Sequence, residues 1–478
     1  MRMVTYRLEE FALFDYAGVE RHLAKMAAKG WYLDHIEGNF WVYYRKDPAN
    51  IRYAVTYIPE ASQFDPIHTE KSEKLDEYCE EVGWTKVTDW LQMQIYCTED
   101  PSAKPLETDE RVRFQVIRKA MKKTYLLSNI LMFFVFGLQA FTQYRSLTAS
   151  PVAYLADTAN LLLILLIFSG MLFLTFNIGY YLLWSRKSKK LVEAGLGCAP
   201  VRFYRIWNRG TLVFVLILLA CLAYSMGDYG IVILVGFGGF ILNTFLIQRT
   251  RIMLRNKGVN RGLNMAVTLG VDLVLVILWI AGIIWGTMRI TENADTPVDS
   301  YLADGVWWDI YEDELPVRVE DLMDVDYEHY SCEKAENESF LLTYDSYYQT
   351  SFSDGENAPS LSYTVTYVKE DFLYDWCVEQ YLDEYNRWHK RYLSKDEDEI
   401  NEGYREVGVY DWHTDDSLAS DQKIDRLYQY YKEDEPMYWF IVCKGNLILR
   451  IQPDWEMTED QLKAFVESIS MYYSDSSL

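Results

Sequence analysis

The sequence predicts an α-helical multi-pass membrane protein with five spans. It also predicts a cytoplasmic α+β domain, built as a duplicated strand-helix-strand-strand, and an extracellular α+β domain. Three observations lead there. Five long apolar runs lie between Thr124 and Met288, Lys and Arg crowd one set of their connections, and acidic residues gather after the last run. With 478 residues, 50% apolar and 16% aromatic, the chain can fill more than one hydrophobic core. Its composition excludes wholesale disorder, a collagen-like chain and a small disulfide scaffold. The net charge of −24 hides a division: residues 291–478 hold 14 Lys and Arg against 45 Asp and Glu, a balance of −31, leaving +7 for residues 1–290. A surplus of this sign argues against nucleic acid as a partner.

Residues 1–105 form the first domain, and they contain a repeat. Val4-Thr5-Tyr6 recurs as Val55-Thr56-Tyr57, Gly30-Trp31 as Gly83-Trp84, and Asp47-Pro48 as Asp100-Pro101. In each copy a short β-type run precedes a polar-rich helix, about Tyr16–Lys29 and then about Glu70–Val82. Gly30 and Gly83 fall where a helix ends and a left-handed cap is wanted. Two aromatic or β-branched runs follow each, Trp31–Ile36 with Phe40–Arg45 and Trp84–Thr88 with Leu91–Cys97. The economical architecture is one antiparallel sheet with both helices on one face. Trp31 and Trp84 then occupy pseudo-symmetric places. As ordinary packing they anchor helix to sheet; the sharper reading is an aromatic pocket between the copies for an intracellular effector.

The opening Tyr6-Arg7, the helix ending Met26-Ala27-Ala28-Lys29-Gly30-Trp31 and the second Gly83-Trp84 give the domain a likeness. Over about residues 3–120 the chain resembles domain-of-unknown-function family 2812. The resemblance implies a bacterial, mostly Gram-positive, multi-pass membrane protein with this domain ahead of its spans. It implies no activity and no catalytic residue.

Residues 106–123 read as a basic juxtamembrane helix leading straight into the first span, its cations near anionic headgroups. A continuous helix here would couple the duplicated domain to the membrane; simple topological anchoring accounts for the same charges. Residues 124–289 form the transmembrane domain. Its runs are Tyr125–Phe141, Asn160–Trp184, Thr211–Met226, Gly230–Ile247 and Ala266–Met288. Each approaches or exceeds the ~20 helical residues that cross a ~30 Å hydrocarbon core. The first begins too far into the chain to be a signal peptide. Eighteen Lys and Arg lie in the stretch Arg111–Lys123 just before the first run and in the second-to-third and fourth-to-fifth connections, whereas the other side shows only Arg145 and Arg289 near the membrane. That asymmetry predicts a cytoplasmic N-terminus and, after five spans, an extracellular C-terminus in a cell membrane.

Residues 290–478 read as an acidic extracellular α+β domain. Ser339–Ser351 and Leu361–Lys369 alternate like strands, and Phe372–Leu393 reads as a helix with an apolar face of Tyr374, Cys377, Tyr381 and Leu382. Lys444-Gly445-Asn446 joins two strands as a hairpin, and Thr458 caps a last helix carrying Leu462, Phe465, Val466 and Ile469 at helical spacing. Cys332, Cys377 and Cys443 match no disulfide framework and read as small core residues. The acid runs Asp396–Glu399 and Asp411, Asp415, Asp416 lack the order of a calcium loop, so a solvated acidic face is expected. A cationic ligand, such as a basic peptide or wall component, is the partner such a charge would attract.

No chemistry-bearing motif appears. His22, His35, His68, His329, His389 and His413 have no metal-ligand spacing and no nucleophile beside them, and no glycine-rich phosphate loop exists. No cofactor is expected. Gly236-Phe237-Gly238-Gly239 lies inside the fourth span and reads as close helix packing. Asp272, in the fifth span, is the candidate intramembrane functional residue, with Asn177 and Asn243 as polar partners on other helices. The reading is therefore a non-enzymatic sensory or regulatory membrane protein, its partners the lipid bilayer and a cytoplasmic regulator or membrane protein. A transporter or transporter accessory subunit, an envelope scaffold and, last, a membrane-face enzyme are the competing classes.

Overall fold

In the computed structural model, the structure describes residues 3–475 except 38–39, 68, 108, 295, 304, 326–329, 352–358, 393–402, 409–423 and 433–434. The chain divides into two compact units, one of Met1–Ala140 with Leu165–Met288, the other of Phe141–Ile164 with Arg289–Leu478.

The first unit opens with the repeat. Its elements run β1 (Val4–Leu8), α1 (Tyr16–Ala27), β2 (Trp31–Glu37) and β3 (Phe40–Arg45), then β4 (Arg52–Tyr57), α2 (Glu70–Glu81), β5 (Thr85–Trp90) and β6 (Met93–Thr98). The strand-helix-strand-strand order is present twice. The single sheet is not: each copy closes its own three-stranded antiparallel sheet, in the orders β1-β3-β2 and β4-β6-β5. One physical reason is that β2 and β5 each carry a register shift, between Leu33 and His35 and between Lys86 and Thr88, at the same offset that separates Gly30 from Gly83. A bulge breaks the continuous row of N–H and C=O groups that another strand would need. Gly30 and Gly83 adopt φ of +80° and +85° just past their helices, where a Cβ would be strained. Asp15 caps α1 by accepting from the Gly18 amide at 3.0 Å, and Thr69 caps α2 in a reciprocal pair with Ser72.

Helix α3 (Glu110–Met121) begins at the Asp109 cap, a few residues later than expected, and continues as one helical stretch to Ala149. A π-helical turn at Lys122–Leu126 intervenes before α4 (Leu127–Ala149). A short α5 (Pro151–Ala156) follows, then α6 (Thr158–Glu193), α7 (Tyr204–Ser225), a 3₁₀ turn at Gly227–Tyr229, α8 (Gly230–Asn256) and α9 (Arg261–Ala294). Five helical stretches among these are long and apolar enough to cross a membrane. Their outer faces expose large apolar side chains, Phe134 at 72% and Leu278 at 62% among them, an arrangement that suits lipid and not water. Close packing replaces side chains where glycine allows it. A Cβ on Gly239 would strike the Trp279 ring and one on Gly170 the Phe136 ring, whereas Gly238 meets nothing within 4 Å. The expected glycine contact is thus made by part of the Gly236–Gly239 run.

The second unit is built on a seven-stranded antiparallel sheet in the order β12-β13-β14-β15-β11-β10-β9. A separate hairpin of β7 (Asp299–Ala303) and β8 (Val306–Ile310) precedes β9 (Tyr330–Glu338), β10 (Leu342–Ser351) and β11 (Leu361–Val368). Then come α10 (Asp371–Tyr392), β12 (Gly403–Gly408), β13 (Arg426–Lys432), β14 (Glu435–Lys444), β15 (Leu447–Pro453) and α11 (Glu459–Asp475). Alternation along β14 divides its side chains between two cores: Phe440 and Val442 join Phe465 and Ile469 of α11, while Ile441 and Cys443 join Cys377 and Tyr381 of α10. The Lys444↔Leu447 pairing leaves Gly445-Asn446 as the turn, with Gly445 at φ +56°. Thr458 and Gln461 cap α11 reciprocally. The seven cysteines are free; Cys332, Cys377 and Cys443 are fully buried, and burial pushes their thiols up to about 11, about 12 and about 11. The acid runs at 396–399 and 411–416, with His68, His329 and His413, lie outside the described residues.

One element of this unit was not foreseen. Residues between the first two long apolar helices fold as α5, whose Val152 and Ala156 are buried in the same core as Cys377 and Tyr381. Thr158 Oγ1 donates to the Glu338 carbonyl at 2.8 Å.

Candidate functional site

The first unit contains a seam where the repeat meets the polar ends of α6, α7, α8 and α9. The segment after β1 makes much of it. Phe14 is 1% exposed and inserts its ring among Tyr125, Tyr181 and Trp184, with 4.6 Å between its centroid and that of Trp184. Aromatic packing of this kind contributes beyond its buried area. Four residues earlier, Glu10 lies 3.3 Å from Arg209 Nε, and Glu9 Oε1 lies 3.0 Å from His22 Nε2 with Arg205 3.5 Å from its second oxygen. Burial works to raise the Glu9 carboxyl, but the His22 hydrogen bond and charge together with Arg205 hold it below the usual range.

The tip of the β5–β6 hairpin supplies the second contact. Leu91 sits there at φ +56°, a conformation that a branched residue adopts only under constraint. Asp89 pairs with Arg255, both about three-quarters buried, and Gln92 donates to Thr124 in the π-helical turn. Gln63 accepts from Arg251, and the fully buried Asn264 of α9 donates to the Phe64 carbonyl at 3.1 Å. The π-helical turn thus coincides with a contact to the repeat, a common setting for such turns.

A cavity of about 660 Å³ opens within this seam. Glu9, Glu10, Asp89, Arg251 and Arg255 give it charges of both signs, while Phe11, Trp90, Phe173, Leu212 and Ile252 give it apolar walls. Two buried side-chain atoms on its lining have neither a hydrogen-bond nor an ion-pair partner in the protein: Asn208 Oδ1 and Arg255 Nε. Behind the seam α1 is fastened to α3. Tyr16 donates to Glu110 at 3.2 Å, Arg113 pairs with Glu107 at 2.7 Å and Glu110 at 2.8 Å, and Glu20 accepts from the Val55 amide at 2.9 Å. Burial is the main cause that pushes the Glu20 carboxyl up to about 7; Glu107 and Glu110 add to it, against the Val55 bond and Arg113.

The match to known families falls on this region. Residues 15–129 match the model of a family described as protein of unknown function, DUF2812. The span begins after Tyr6-Arg7 and runs through the π-helical turn into α4, so the DUF2812 segment includes Glu20, Asp89 and Tyr125 but neither Arg255, the partner of Asp89 on α8, nor Glu9 and Glu10 with their arginines on α7. No curated protein and no solved structure matches the chain.

Trp31 and Trp84 are both inside the DUF2812 segment, but the structure does not bring them together. Trp84 is 2% exposed in a small core with Cys79 and Tyr96, its Nε1 donating to the Lys104 carbonyl at 2.8 Å. Trp31 is half-buried against the larger core, with the Arg45 guanidinium 5.0 Å from its ring. Neither lines the seam cavity. Asp272 accepts from Asn243 Nδ2 at 3.1 Å, so one of the two expected partners is present. Asn177 instead is buried near Tyr125, its backbone carbonyl accepting from that hydroxyl. Among the described residues no group of three His, Cys, Asp or Glu side chains is placed to hold a metal ion.

Proposed function

We propose that this chain is a non-enzymatic regulatory membrane protein in which the amino-terminal domain reports the state of the helices it is docked on. The observation that supports this most directly is the seam. Glu9, Glu10, Asp89 and Gln63 each engage an arginine on α7 or α8, and Phe14 shares a core with Tyr181 and Trp184 of α6. A domain held by charged contacts at several helix ends is sensitive to small shifts of any one of them. In this reading the five apolar helices cross a cell membrane, with the cation-rich helix ends and the N-terminus in the cytoplasm and the acidic domain outside.

Two measurements test it. Protease added to intact cells should cut the acidic domain and spare the amino-terminal one; the opposite pattern inverts the topology. Affinity purification from native membranes should then recover a different set of cytoplasmic partners with the full chain than with one lacking residues 290–478. Identical partner sets would end the regulatory reading.

A further inference from the structure

The seam cavity has a chemistry of its own, whether or not the chain is a regulator. We propose that it binds a zwitterionic amphiphile, an acyl chain joined to a head that carries both an ammonium group and an anionic oxygen, as in an aminophospholipid. The volume of about 660 Å³ falls within the roughly 300–1,000 Å³ of small-molecule sites. Its lining has two zones. Phe173 and Leu212, on α6 and α7, lie within apolar membrane-length helices and form a wall for a hydrocarbon chain. The polar zone holds the two orphaned atoms: Asn208 Oδ1 accepts a hydrogen bond, and Arg255 Nε donates one.

Leaving such groups buried and unmade costs about 1–3 kcal/mol each, so a ligand that completes both is favoured. The head must therefore offer an N–H donor to Asn208 and an oxygen to Arg255. A purely anionic head would face Glu9, Glu10 and Asp89, and a purely cationic one Arg251 and Arg255. A head of both signs meets neither repulsion.

The test uses the purified full chain in detergent and native mass spectrometry. Dioctanoyl phosphatidylethanolamine is compared with dioctanoyl phosphatidylglycerol, which lacks the ammonium, and with O-phosphoethanolamine, which lacks the chains. One phosphatidylethanolamine should bind saturably, at least about tenfold tighter than either comparison. Leu212→Trp, which fills the apolar zone, and Asn208→Leu, which removes an acceptor without breaking an ion pair, should each weaken it about tenfold or more. Thermal unfolding identifies which variants keep the fold, and either one alone suffices. Equal binding of all three probes, affinity unchanged in a folded variant, or no saturable binding overturns the proposal.

Discussion

Glu20 gives the amino-terminal domain a pH dependence opposite to that of most carboxylates. Its acid group is pushed up to about 7 from a usual value of 4.5, chiefly by burial. Between these values the folded domain keeps a proton that the unfolded chain has released. Stability from this group is therefore fully present below pH 4.5, declines as pH rises through the window, and is gone above about 7. At about 1.4 kcal/mol per tenfold change in proton affinity the full effect is at most about 3 kcal/mol, and partial solvent access reduces it to roughly 1–2 kcal/mol. Glu20→Gln keeps an oxygen for the Val55 amide and removes the titration. Hydrogen exchange at Val55 and the neighbouring α1 amides, followed from pH 5 to 8 and corrected for intrinsic rates, should show opening that becomes easier with pH in the wild type and stays level in Glu20→Gln. Equal slopes in the two proteins would refute the assignment of the buried proton to Glu20.

Other outcomes follow from the same geometry. Asp89→Asn and Arg255→Gln should each destabilise the docked domain by about 1–3 kcal/mol, less than additively in the double variant, as read from thermal unfolding in detergent; full additivity would mean the pair is not coupled. Trp84→Ala should cost about 3–5 kcal/mol because it empties a site that is 2% exposed, whereas the half-buried Trp31 should cost clearly less on truncation; equal losses would contradict the separate cores. Asp272→Asn keeps an acceptor for Asn243 and should change stability by less than about 1 kcal/mol. If that variant also leaves the cellular phenotype intact, Asp272 is a structural hydrogen-bonding group.

Much of the architecture is legible in the sequence because it is written in short-range patterns. Apolar run length marks the five long apolar helices, Gly30 and Gly83 mark the helix ends, and Lys444-Gly445-Asn446 and Thr458 mark the last hairpin and helix of the acidic unit. The seam is not legible in this way. Nothing local about Glu9 indicates that its partner is Arg205, and the arginines of the connections have a sufficient topological explanation without the domain. The two sheets escaped for a related reason: a repeat predicts equal copies but not whether their edges pair, and that is decided by the bulges after Leu33 and Lys86. The α5 segment carried a readable signal, Pro151 at a helix start followed by Val152, Tyr154 and Leu155. Its brevity between two long runs concealed it.

The engagement of Arg205, Arg209 and Arg255 by carboxylates has a consequence for how the chain comes to be made. Synthesis delivers Glu9, Glu10 and Asp89 long before those arginines emerge. If the chain inserts as proposed, the cations must first hold their helix ends back from crossing, and only afterwards close on an acidic surface that is already folded and waiting. Neutralising them to map orientation would therefore unfasten the soluble lobe in the same stroke, so misorientation and detachment would arrive together. Removing the acidic partners instead would separate the two, since those side chains take no part in choosing a direction.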